Sequence, residues 1–119
     1  MTLIIVFPLH VVAMKTHFME MKERGKLTID NGEFHSDDLL MEDAQLESTG
    51  GKMRLKKFHM KENTRFDFKD GDLEADDFRF GKGRLEAIAG KMRMVSANMA
   101  VGSRFVVSGS ADVSFNRLE

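Results

Sequence analysis

The chain has 119 residues, enough for one domain with a modest core, and its 42% apolar and 31% charged residues are the balance of a globular chain, not a disordered one. Its 18 basic and 19 acidic residues are interspersed, for a formal net charge of −1, which leaves no one-signed field for nucleic acid or an anionic membrane. Cysteine is absent, which excludes disulfides, zinc–thiolate sites and a cysteine nucleophile; Tyr and Trp are absent too, so ten Phe and ten Met must build much of the interior.

The chain opens with "MTLIIVFPLHVVAMK". The apolar run from Leu3 to Met14 is too short to span a bilayer and is interrupted by Pro8 and His10. No basic residues precede it and no small-residue cleavage site follows. It reads as a buried strand pair, with a signal or anchor remnant as the other reading.

From there the pattern alternates with period two. "KLTID" sets Leu27 and Ile29 on one face, "RFDF" sets Phe66 and Phe68, and "FRF" sets Phe78 and Phe80. "RLEA" pairs Leu85 with Ala87, "KMRM" pairs Met92 with Met94, and "RFVVS" and "DVSF" carry the pattern to Phe115. Such alternation marks strands with one buried and one wet face. Asn31-Gly32 and Asp70-Gly71 have the chemistry of tight hairpin turns, because glycine accepts positive φ without a Cβ clash. No stretch offers a long amphipathic helix. The expected fold is all-β: an antiparallel meander or jelly-roll, or a β-solenoid.

A repeat runs beneath the alternation. "LESTGGKMRLKKFHM" (Leu46–Met60) returns as "LEAIAGKMRMVSANM" (Leu85–Met99), 39 residues on. Phe34–Met60 against Leu73–Met99 gives nine identities in 27 positions, among them Asp37/Asp76, Asp38/Asp77, Gly51/Gly90, Lys52/Lys91 and Met60/Met99. The whole of 1–119 therefore reads as one β-repeat domain, with units at about 22–60 and 61–99 and a half unit at each end. In "KMRLKKFHM" the inward parity slips after Leu55 and resumes at Phe58, as expected of a β-bulge.

The chemistry-bearing residues are few. Asp37-Asp38 and Asp76-Asp77 are adjacent carboxylates, but neighbours on a strand point to opposite faces and do not form an acid/base pair. "DFKDGDLEADD" lacks the spacing of a calcium loop. The His and Met of "MKTHFMEM" and "FHM" suit a soft metal, yet the methionines sit at repeat-matched positions and the histidines do not, so methionine reads as core filler. No phosphate loop or nucleophile–His–acid set is present, so neither catalysis, a cofactor nor a metal is expected.

Gly83–Phe115, "GRLEAIAGKMRMVSANMAVGSRFVVSGSADVSF", together with "DGDLEADDF" (Asp70–Phe78), resembles the strand rhythm of periplasmic lipopolysaccharide-transport proteins of the LptC/LptA (OstA-like) family. The resemblance implies a twisted jelly roll open along one side, an apolar interior for lipid A acyl chains, a periplasmic or envelope location and edge-to-edge stacking on β-sheet partners or on itself. Under that reading Phe66, Phe68, Phe78, Phe80, Met92 and Met94 line an acyl-contacting groove, and the chain binds or conveys an amphipathic lipid without catalysis. The rival is a structural β-repeat module, of a scaffold or phage-spike kind, whose units stack or oligomerise. An open apolar trough distinguishes the first reading, a closed core the second.

Overall fold

The computed structural model describes residues 2–6 and 8–118. Eleven strands follow one another with no helix among the described residues: β1 (Thr2–Ile5), β2 (Pro8–Met21), β3 (Lys26–Met41), β4 (Ala44–Ser48), β5 (Gly51–Met60), β6 (Thr64–Phe68), β7 (Asp72–Phe80), β8 (Gly83–Ala87), β9 (Lys91–Met99), β10 (Arg104–Val107) and β11 (Asp112–Leu118). Every ladder between them is parallel. The molecule is a parallel β-solenoid of about six coils.

Each inner coil has three short straight runs joined by two corners and closed by a loop. In β3, Leu27 and Ile29 face inward on the first run, Phe34 and Ser36 on the second, and Leu39 and Met41 on the third. The same layout recurs in β4–β5, β6–β7 and β8–β9. One ladder stacks the first runs through β3, β4, β6, β8 and β10, and the other stacks the remaining runs through β3, β5, β7, β9 and β11. On the far side of β3 lies β2, and β1 covers only the third run of β2, Phe18–Met21. The inward columns form one closed core of Phe, Met, Leu, Ile and Ala.

The antiparallel meander and the jelly roll are thus replaced by the solenoid. The reason lies in the turns. Asn31-Gly32 does not reverse the chain; it is a corner inside β3, with Asn31 at φ +51° and Gly32 pairing onward with Gly51. Asp70-Gly71 is the same corner two coils later, Gly71 at φ +114°. A hairpin turn and a solenoid corner both need left-handed backbone, so both select Asn, Asp and Gly. The expected bulge after Leu55 is also a corner. The register stays at 19 residues on either side of it, Ser36 on Leu55 and Asp38 on Lys57, so no residue is inserted. The described part of the apolar start is strand, as expected, but its two strands are parallel and a coil apart. Ile4 and Val12 are 47% and 78% exposed, so the pair is not buried throughout; Phe7 lies outside the described residues.

The unit of structure is half the repeat seen in the sequence. Gly32 pairs with Gly51, Lys52 with Asp72, and Asp72 with Lys91, at offsets of 19, 20 and 19. Two coils therefore make 39 residues. On the second run side-chain charge alternates from coil to coil, which obscures the shorter period there: Glu33, Lys52, Asp72, Lys91 and Asp112 form one outward column.

Candidate functional site

The six side chains expected to line a groove are core. Phe66, Phe68, Phe78, Phe80, Met92 and Met94 are 0–2% exposed, on the inward columns of β6, β7 and β9. The structure does bring them together. Phe66 and Phe68 meet edge to face at 6.0 Å, Phe78 and Phe80 stack at 5.6 Å, and Phe58 joins the two pairs at 5.7 and 5.1 Å. They form the wall-to-wall filling of closed coils, with no open trough among them.

The paired aspartates lie where the chain turns. At the second corner of each coil both residues point outward, so Asp37-Asp38, Lys56-Lys57 and Asp76-Asp77 stand above one another as acid, base, acid. This corrects the expectation that neighbours on a strand face opposite ways. Lys56 Nζ is 3.6 Å from Asp37 Oδ1, and His17 Nδ1 is 3.0 Å from Asp37 Oδ2. The His17 hydrogen bond first, then Lys56, holds the Asp37 carboxyl below its ordinary value. Asp37 thus answers cations on both neighbouring coils, whereas Asp77 pairs with Arg79 of its own strand at 3.6 Å. Arg54, Glu74 and Arg93 repeat the arrangement on the second run, Glu74 standing 3.9 Å from one arginine and 3.7 Å from the other.

Methionine and histidine are separated by the coil wall. Met19, Met21, Met41, Met53, Met60, Met92 and Met94 point inward, whereas His10 and His17 pair with Asp30 and Asp37 on the outer surface. His59 is half-buried outside, where desolvation, then Lys61 and Arg79, lower its pKa. Among the described residues no three His, Asp or Glu converge as a metal site. Asp70 of the acidic stretch spends its carboxylate accepting a hydrogen bond from the Gly71 N–H, at 2.8 Å.

What stands apart is the last coil. The column Val11, Ile29, Ser48, Phe68, Ala87 ends in Val107, which is 50% exposed. The column Met19, Leu39, Phe58, Phe78, Ala97 ends in Leu118, which is 57% exposed. Phe105, Val113 and Phe115, also inward, are half-buried. Among the described residues nothing lies over β10 and β11. The aromatic chain of the core runs out to this surface, Phe80 to Phe105 at 6.4 Å and Phe105 to Phe115 at 5.9 Å.

No protein-family model, curated protein or solved structure matches the chain. Among the described residues no helix is long and apolar enough to cross a membrane.

Sequence reasoning missed the terminal coil because its residues carry the same inward alternation as every other coil. Only the stacking order tells which coil is last. The spacing of Gly32, Gly51, Gly71 and Gly90 was the signal available for the single-coil period.

Proposed function

We propose that the chain is a non-catalytic structural module, a rigid β-solenoid that associates with a second copy of itself through its last coil. One observation carries this reading. In the middle coils the inward columns are sealed, whereas all five inward side chains of the last coil (Phe105, Val107, Val113, Phe115 and Leu118) remain partly or fully exposed. Buried apolar area stabilises in proportion to its size, so covering these five recovers contacts that every other coil already has. The free edges of β10 and β11 add backbone N–H and C=O groups that another strand satisfies. A strand edge bent at a solenoid corner is best matched by an edge with the same bend, and a second copy presents one.

The lipid-carrying expectation needs an apolar lining open to an acyl chain. Here the proposed lining is sealed, and receiving an acyl chain on it would require adjacent coils to part along their hydrogen-bonded ladders.

Sedimentation equilibrium tests the proposal. The protein is expected at twice its 13.5 kDa chain mass, and Phe105→Asp is expected to return it to the monomer with unchanged far-UV circular dichroism. A single 13.5 kDa species at all concentrations would overturn the reading. A stoichiometric acylated lipid recovered with the folded protein in native mass spectrometry would put the lipid reading in its place.

A further inference from the structure

We infer that β1 makes this association a closed two-fold pair, last coil on last coil, instead of a polar stack; the inference rests on the self-association proposed above. Head-to-tail stacking in the register of the molecule would lay Ala13–Thr16 of an incoming copy on Asp112–Phe115, just as Glu33–Ser36 lie on Lys52–Leu55. The same register carries the incoming Phe18 and Met19 onto Arg117 and Leu118. Those incoming edges are already taken, because Thr2 and Leu3 pair with Phe18 and Met19. Arg117 and Leu118 cannot give way without leaving their own ladder, where they pair with Ser96 and Ala97. Two strands cannot share one edge, since each backbone N–H and C=O has one partner in the ladder.

The first coil is closed in other ways as well. Its inward Val11, Thr16, Met19 and Met21 are buried, with Ile5 of β1 paired over Met21, while Leu9 and Met14, which β1 does not reach, are half-buried. Pro8 opens the free edge of β2 without an N–H to offer a neighbour. Among the described residues one end is thus open on all its runs, and the other is blocked on its third run. A single self-complementary surface closes as a dimer, whereas a filament needs two different ones.

The two-fold arrangement satisfies side chains as well as backbone. In an antiparallel β11–β11 ladder, residues opposite one another share a face. With Ser114 opposite Ser114 of the second copy, Val113 falls opposite Phe115 of the second copy and both point inward. Asp112 falls opposite Asn116 of the second copy, so no like charges meet along the run. The exposed apolar ends of two cores become one.

The native chain has no cysteine, so introduced thiols report contacts directly. Ser114 and Lys15 are both exposed. With oxidised glutathione as the oxidant, Ser114→Cys alone is expected to yield a covalent dimer, and adding Lys15→Cys is expected to yield nothing larger. A ladder of multimers from Ser114→Cys/Lys15→Cys, with no dimer from Ser114→Cys alone, would establish a polar stack and overturn this inference while leaving self-association intact. A non-covalent dimer that Ser114→Cys fails to link would overturn the pairing about Ser114. Monomers throughout would overturn the self-association itself. Leu3→Asp/Ile5→Asp, which lifts β1, is expected to release open-ended oligomers; a folded variant that stays dimeric would show that β1 is not the block.

Discussion

Gly51 sits at the first corner of its coil with φ +85°, and a Cβ there would lie 2.1 Å from the carbonyl oxygen of Gly32. The next coils repeat the contact: a Cβ on Gly71 meets the Gly51 carbonyl at 2.7 Å, and one on Gly90 meets the Gly71 carbonyl at 2.5 Å. Two requirements coincide at one atom, left-handed backbone and close approach of the coil below, and glycine alone meets both. Replacing Gly51 with alanine is expected to destabilise the fold by about 1–3 kcal/mol through backbone strain and the clash combined. A lower urea midpoint at unchanged m-value would register this, and an unchanged midpoint would show that the corner relaxes freely. The glycine column was visible in the sequence, but there it reads as a set of turns. What it lacks at that level is any sign that successive glycines touch.

At the level of the strand, outward columns of the second run and second corner hold alternating charge. The first run instead stacks Arg65, Arg84 and Arg104 beside Glu47, Asp67 and Glu86, with Arg65 and Arg84 each paired to the acid two residues on. Parallel ladders place matched residues of neighbouring coils about 4.8 Å apart, so like charges at one position in every coil would repel along the whole axis. Asp37-Asp38, Lys56-Lys57 and Asp76-Asp77 avoid this, as do Glu33, Lys52, Asp72 and Lys91. The alternation also opposes a slip by one coil, which would set acid against acid. Lys56→Glu/Lys57→Glu is expected to lower the melting temperature at low ionic strength and to recover part of the loss at about 1 M salt, where the Debye length is near 3 Å. An equal loss at both salt concentrations would assign the effect to packing. The pH dependence has a defined sign. Asp37 titrates below its ordinary 3.8 in the folded protein, held there by His17 and then Lys56. Its contribution is therefore complete above that ordinary value and is lost as pH falls through the lower, folded one. The charge-reversed variant, with Lys56 gone, should show a shallower acid limb.

Across the whole molecule each coil contacts its neighbours, so stability is close to a sum of coil and interface contributions. The inner coils have two neighbours and the last coil has one. In the monomer, amides of β10 and β11 are expected to exchange with solvent faster than those of β5, β7 and β9, by local opening from the free end. Association through the last coil should slow exchange in β10 and β11 at high protein concentration. Uniform protection along the chain, independent of concentration, would contradict both the fraying and the proposed interface.

The amino-acid sequence by itself determined that the chain is all strand, which residues alternate inward, and that the molecule repeats. Phe66, Phe68, Phe78, Phe80, Met92 and Met94 were legible as inward residues because period-two alternation survives any arrangement of strands. Whether inward meant a closed core or an open groove was not legible, since both use the same apolar columns. Strand direction was hidden too, because a hairpin and a corner make the same demand on Asn31-Gly32 and Asp70-Gly71. On the second run and second corner the coil length was masked by charge alternation, which makes residues two coils apart more alike there than neighbours. Only the tertiary structure decided these matters, and with them that β1 covers the third run of the first coil while nothing among the described residues lies over β10 and β11. Those are properties of which strand lies beside which, and a pattern of side chains along one chain carries no record of what covers its last strand.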